Sequence, residues 1–232
     1  MFESAELGHR VDKEVYARRE PALRAALLEA QLALGAQKRF PVVIVIGGLD
    51  GAGKGETVNR LNEWMDPRHL LTHAFPEPSD EERDRPRMWR YWRVLPPKGR
   101  IGILFGAWYD DPLLDRVARR IRPRAFERHL DEVQRFEQML SDEGALLLKF
   151  WLHLSRRDQK ARFTALEKDR RTRWRVTRQD WERHAQYDRF RKVAEQLVQR
   201  TSAAHAPWQV IEGVDEHYRS LAVGDTLLAA LR

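Results

Sequence analysis

The hydrophobic pattern is organised around Val42-Val-Ile-Val-Ile46, a β-branched run that gives way at once to glycines and then to a helical spacing. Unbroken apolar residues of this kind read as a strand buried on both faces, and the glycines mark a tight loop. Apolar runs at Ile101–Phe105, Ala145–Leu152 and Trp208–Ile211 read as further strands, with Leu70–Phe75 as a short one. Helical stripes lie between them. Leu23, Leu27, Ala30 and Leu34 mark a helix from about Pro21, well placed in a first turn, to Gly35. Phe126, Leu130, Val133, Phe136 and Leu140 mark a longer one over about Pro123 to Asp142. Glu56–Met65, Trp181–Gln199 and Glu216–Leu231 complete the helices, and residues 1–19, polar and mixed in charge, read as an arm or short helix. Strand and helix alternate, which predicts an α/β fold: about five parallel strands with helices on both faces and the ligand at their carboxyl ends.

The loop after the first strand carries the chemistry. Gly48 to Lys54 fits G-x-x-x-x-G-K, the phosphate-cradling P-loop. Glycines let successive N–H groups turn toward one anion, and the helix dipole and a lysine add positive charge there. Gly48, Gly51, Gly53, Lys54, Gly55 and Glu56 are the phosphate-binding candidates. Gly55 stands where a Ser or Thr hydroxyl would meet magnesium, so the metal must find another oxygen, and Asp50 is nearest in sequence.

Charge sharpens the picture. The chain carries 42 basic and 35 acidic residues, a net +7. Residues 156–178 hold ten Lys or Arg against three acids, a surplus equal to that of the whole chain. So concentrated a field points to a polyanionic partner. Ser155-Arg-Arg-Asp158 caps the helix that opens this segment, and Ser79-Asp-Glu-Glu82 caps another expected to continue through Arg83–Arg93. There Trp89, Tyr91 and Trp92 alternate with Arg85, Arg87, Arg90 and Arg93, which either stack a base and clamp phosphates or form one packed and one solvated face. With no cysteine, disulfides, thiolate zinc sites and thiol nucleophiles are excluded. The eight histidines have no metal-ligand spacing, so His69, His73, His129 and His153 read as structural or solvated. Without a membrane-spanning run or a signal-peptide core, a cytoplasmic protein is expected.

Taken in order, Gly48-Leu-Asp50-Gly-Ala-Gly-Lys54-Gly55, Leu95-Pro-Pro-Lys-Gly99, Ile101-Gly-Ile103, Trp108-Tyr109, Lys149-Phe-Trp-Leu-His-Leu-Ser155 and Ala206-Pro-Trp-Gln-Val-Ile211 resemble the polyphosphate kinase 2 family. Met1–Gly8 and Leu61–His69 are similar to the first half of its two-domain members, the polyphosphate:AMP phosphotransferases. The resemblance implies a P-loop NTPase-like domain over 36–232, preceded by an arm and helix over 1–35, with a basic helical lid at about 156–180. It implies phosphoryl transfer between inorganic polyphosphate and a nucleotide (AMP to ADP) with Mg2+. Asp50 and Lys54 match the family's catalytic P-loop residues, Asp50 also as metal ligand, and Arg171, Arg173, Arg175 and Arg178 fall in its polyphosphate lid. Arg116 is a further candidate without an assigned role. A second phosphotransferase domain or a second copy is the expected protein partner, and nucleic acid is disfavoured because the P-loop would go unexplained.

One departure matters. Active members end the strand before Trp-Tyr with Asp-Arg-Ser, the aspartate binding magnesium, where this chain has Phe105-Gly106-Ala107. Losing carboxylate and guanidinium together should cost on the order of a thousandfold in rate. The expectation is weak turnover, or a non-catalytic domain that binds polyphosphate or nucleotide beside an active second half. Asp110 and Asp111 could replace the carboxylate only if the Trp108-Tyr109 turn folded back.

Overall fold

Val42 to Gly48 forms β1, in which every residue is buried, because strands flank it on both edges and helices cover both faces. The computed structural model describes residues 1–232. Around β1 the chain runs α1 (Lys13–Gln37), α2 (Lys54–Trp64), β2 (Leu70–Ala74), α3 (Asp80–Arg83), α4 (Trp89–Trp92), β3 (Ile101–Phe105), α5 (Asp110–Val117) and α6 (Pro123–Asp142). It continues through β4 (Leu146–His153), α7 (Arg156–Lys168), α8 (Arg178–Ala185), α9 (Tyr187–Thr201), β5 (Trp208–Glu212) and α10 (Glu216–Leu231). The sheet has five strands in the order β2-β3-β1-β4-β5, every pair parallel. Ile46 pairs with Phe105 and Gly48 with Leu152, so the P-loop leaves the sheet between the ends of β3 and β4. No helix is long and apolar enough to cross a membrane.

Several expected boundaries move. α1 begins at Lys13, with Pro21 inside it instead of at its start. An internal proline costs a backbone hydrogen bond, but tertiary contacts hold the added turns: Tyr16 stacks on His217 at 4.4 Å and Trp64 Nε1 donates to Glu20 at 2.8 Å. The opening residues, read as an arm or short helix, contain a short 3-10 helix that packs on the sheet. Phe2, in a 3-10 turn over Phe2–Ala5, is fully buried and stacks on His153 and Trp151. The segment Arg83–Arg93 does not continue as one helix; it splits into α3 and α4 around Pro86, which cannot donate to a continuing ladder. The helix expected over Trp181–Gln199 is two, α8 and α9, meeting at Gln186.

β4 conceals a charge in an apolar run. Lys149 is wholly buried, and its Nζ donates to Glu137 Oε2 of α6 at 2.7 Å, to Tyr109 Oη at 3.1 Å and to the Thr201 carbonyl at 2.6 Å. Burial pulls the ammonium below its ordinary value and Glu137 opposes the shift. Glu137 Oε1 also accepts from Trp108 Nε1 at 3.0 Å and from Tyr109. The cluster therefore clamps the Trp108-Tyr109 turn, just past the end of β3. Breaking a buried pair from one side leaves the other charge uncompensated. Glu137→Leu is expected to lower unfolding free energy by about 3–5 kcal/mol, read from urea denaturation. Adding Lys149→Met should recover only part of this, because Trp108 and Tyr109 stay without an acceptor. A loss below about 1 kcal/mol would make the cluster energetically idle.

Candidate active site at the P-loop

The glycines of the P-loop wrap the start of α2. Lys54 opens that helix, and its Nζ donates to the Gly48 carbonyl at 2.8 Å and lies 3.4 Å from Asp50 Oδ1. Behind the loop stands Arg219 of α10, only 3% exposed. Its guanidinium donates to the Gly213 carbonyl at 2.8 Å and to Glu56 Oε2 at 2.8 Å. Gly53, at φ +91°, is required here: a Cβ would lie 2.3 Å from that guanidinium carbon.

The basic segment closes over the loop. Gln159 of α7 donates to the Asp50 carbonyl at 2.9 Å, and Arg183 of α8 donates to Asp50 Oδ2 at 3.2 Å. Arg162 of α7 and Arg175, in a 3-10 turn over Arg173–Arg175, both donate to Glu56 Oε1, at 2.6 and 3.0 Å. Burial by itself would raise both acids, but the surrounding cations prevail. Lys54 and Arg183 hold Asp50 below the usual carboxylate range, and Arg162, Arg219 and Arg175 do the same for Glu56. The cleft between loop and lid measures about 200 Å³ and is lined by Asp50, Lys54, Glu56, Phe105, Arg162 and Arg175 among others. That is below the roughly 300 Å³ of small-molecule pockets, a size for phosphates more than for a whole nucleotide.

At the end of β3, Phe105 is half-buried and its ring centroid lies 5.9 Å from Lys54 Nζ. The turn that follows does fold back. Gly106 has φ +81°, Ala107 has φ +49°, and a 3-10 turn over Ala107–Tyr109 leads directly into α5. Asp110 is thereby brought against Gly106, where a Cβ would sit 2.2 Å from its Oδ2. Burial raises the Asp110 carboxyl; Lys54 opposes this and Asp50 adds to it, which puts all three groups in one field. A carboxylate five residues past Phe105 thus comes to lie beside the end of β3, whereas no guanidinium stands at Gly106.

Asp111, the next residue, faces a second cleft of about 540 Å³ lined by Arg83, Arg85, Arg87, Arg90, Asp111 and Arg120 among others. The mixed aromatic and arginine segment divides there. Tyr91 is buried against Phe75 and Trp108 with its hydroxyl on the Ala107 carbonyl, whereas Trp92 is 48% exposed and Trp89 lies between Arg85 and Arg93. The aromatic residues thus divide between core and solvent, while Arg85, Arg87 and Arg90 line the cleft. Of the histidines, His153 is buried against Glu6 and His129 lies beside Arg87.

Of the lid arginines expected from sequence, Arg175 reaches the P-loop cleft. Arg171 and Arg178 are 88% and 93% exposed and pair with Asp169 and Glu182, and Arg173 is exposed. Arg116 lies half-buried on α5 and lines neither cleft. Sequence reasoning missed Arg162, Arg183 and Arg219. The first two lie in or next to the basic segment; nothing in the sequence pointed to Arg219, which the fold brings under the loop from α10.

No group of three or more His, Asp or Glu side chains is arranged to hold a metal by itself. Magnesium asks for less, one or two carboxylates completed by phosphate oxygens and water. Asp50 and Asp110 match that donor chemistry.

Comparison with known proteins agrees with the geometry. The polyphosphate kinase 2 (PPK2) family model matches residues 10–232. A Pseudomonas aeruginosa protein named polyphosphate:AMP phosphotransferase is 53% identical over the whole chain, which covers 47% of that protein. The Meiothermus ruber AMP/ADP-polyphosphate phosphotransferase is 29% identical over 90% of this chain and 78% of its own. The solved polyphosphate kinase 2 of Arthrobacter aurescens superposes with a TM-score of 0.91 over 97% of this chain and 81% of that one, at 29% identity. The chain spans about half the length of the Pseudomonas relatives it matches. With a P-loop at the end of the central strand, a basic lid over it and a family match along nearly its whole length, the chain belongs to the polyphosphate kinase 2 family.

Proposed function

We propose that the chain is a phosphotransferase domain that moves a phosphoryl group between inorganic polyphosphate and a nucleotide, AMP by likeness to its relatives. The observation that carries the reading is the presence of two cation-lined clefts, one at the P-loop and one lined by Asp111, the residue after Asp110. At the first lie Lys54, Arg162, Arg175 and the P-loop amides, a cradle of phosphate size. The second is an arginine-lined cleft large enough for a nucleoside monophosphate. Phosphoryl transfer needs its two substrates in line and their charge neutralised, with little covalent chemistry from the protein. In this reading Lys54 and the lid arginines hold the polyphosphate end, and the acceptor phosphate takes its cations from the arginines of the second cleft, Arg87 and Arg90 among them. Asp50 and Asp110 would hold Mg2+, which when bound supplies neutralising charge at the phosphate oxygens.

Turnover is proposed to be slow, since Gly106 supplies no guanidinium at the strand end. A second reading, a binding domain that supports an active second phosphotransferase domain, is favoured by the Phe105 ring beside Lys54. Incubating the chain with AMP, polyphosphate and Mg2+ separates the two: ADP is expected to form, and binding of polyphosphate without any ADP would select the second reading. The lid assignment has its own test. Arg175→Ala is expected to weaken polyphosphate binding about tenfold, the scale of one charge-assisted hydrogen bond, whereas Arg171→Ala with Arg178→Ala should change it less than about threefold. The reverse order in a binding titration would place the polyanion on the outer lid.

A further inference from the structure

Glu56 is the most heavily engaged carboxylate in the site, yet phosphate binding in this loop has no need of an acid. It sits in the first turn of α2, two residues after Lys54. Three guanidiniums from three separate elements converge on it. Arg219, buried behind the loop, holds Oε2. That fixes the carboxylate so that Oε1 is presented to the lid, where Arg162 and Arg175 both take it. These two line the same cleft as Lys54 and are 34% and 37% exposed, so an anion in the cleft has access to them.

A carboxylate that occupies the lid arginines competes with any ligand that needs them. A single phosphate seated on Lys54 and the loop amides leaves those bonds untouched. A chain of phosphates that extends beneath the lid must break or share two charge-assisted bonds before it gains its own. The cost falls only on ligands that reach the lid, and it is the same for all of them. Without ligand, the same bonds add to those of Gln159 and Arg183 in holding the lid against the loop.

We infer that Glu56 is a specificity-determining residue, an internal anion that holds Arg162 and Arg175 against the P-loop until a phosphate chain long enough to reach both replaces it. The inference rests on the proposed polyphosphate binding. Glu56→Gln keeps the shape and removes the charge. Long-chain polyphosphate is expected to bind this variant about tenfold more tightly than wild type, the lower end of what a charge-assisted bond is worth. Orthophosphate, read by its competition for the same site, should bind both alike. In the unliganded variant, hydrogen exchange at amides of residues 156–176 should quicken severalfold. Glu56→Asp, which keeps Arg219 paired but draws the carboxylate back by one methylene, guards against misfolding and should move every readout the same way. Weaker or unchanged polyphosphate binding, or an equal gain for orthophosphate, would overturn the inference. Unchanged lid exchange would overturn it whatever the ligands do. If wild type bound no polyphosphate at all, the functional reading would fail instead, and the exchange measurement, made without ligand, would still decide whether Glu56 holds the lid.

Discussion

Replacing Asp110 by asparagine is expected to lower ADP formation by about two to three orders of magnitude, the range for removing one electrostatic group from a preorganised site. The amide matches the carboxylate in shape, so the close fit against Gly106 survives and only charge is lost. Stability should move the other way. Burial and Asp50 raise the Asp110 carboxyl, so its ionised form is disfavoured by folding. A group raised in the folded state contributes stability below its unfolded value, and the contribution is lost as pH rises through its folded value. At neutral pH the ionised side chain is therefore a penalty, and the variant should melt no lower than wild type. Loss of turnover with retained or improved melting marks a residue kept for chemistry at some cost to the fold. Unchanged turnover would place Asp110 outside the reaction and leave the end of β3 without a working carboxylate.

Lys54→Ala is expected to weaken polyphosphate binding by about one to two orders of magnitude and to abolish measurable transfer. The Lys54 side chain, 17% exposed, faces the cleft and touches the fold through the Gly48 carbonyl, the Asp50 carboxylate and the Phe105 ring. Its loss removes charge and little packing, and alanine is a good helix former at the start of α2. The thermal midpoint should therefore shift by no more than a few degrees, about what 0.5 kcal/mol produces in a domain of this size. Retained affinity with an unchanged melt would show that the anion sits elsewhere, with the outer lid as the first alternative.

The strands, the P-loop and the charged lid were legible because each rests on local composition. Five β-branched residues in a row have one economical environment, and Gly48 to Lys54 carries its loop conformation in its own residue types. What escaped depends on distance or on individual backbone angles. Asp110 comes against Gly106 through consecutive positive φ values at Gly106 and Ala107; a glycine permits that, but an alanine gives no warning of it. The concentration of arginines was plain, yet which of them point inward depends on the phase of α7 and on the bend after it, so Arg162 and Arg175 enter the cleft while Arg171 and Arg178 face solvent. Arg219 comes from the last helix, and Lys149 sits in an apolar strand with its partner on α6. Such long-range pairs leave no period in the sequence. The burial of Phe2 escaped for the same reason: the opening residues are polar on average, and its partners lie on β4.

The central claim is that this domain transfers phosphate between a polyanion and a nucleotide, and following the phosphate tests it most directly. Polyphosphate carrying a radioactive terminal phosphate should be mixed with the chain, AMP and Mg2+, and the products separated. The account predicts label in the β-phosphate of ADP, appearing slowly with wild type and lost with Lys54→Ala and Asp110→Asn. Label confined to polyphosphate, or released only as orthophosphate, would contradict it.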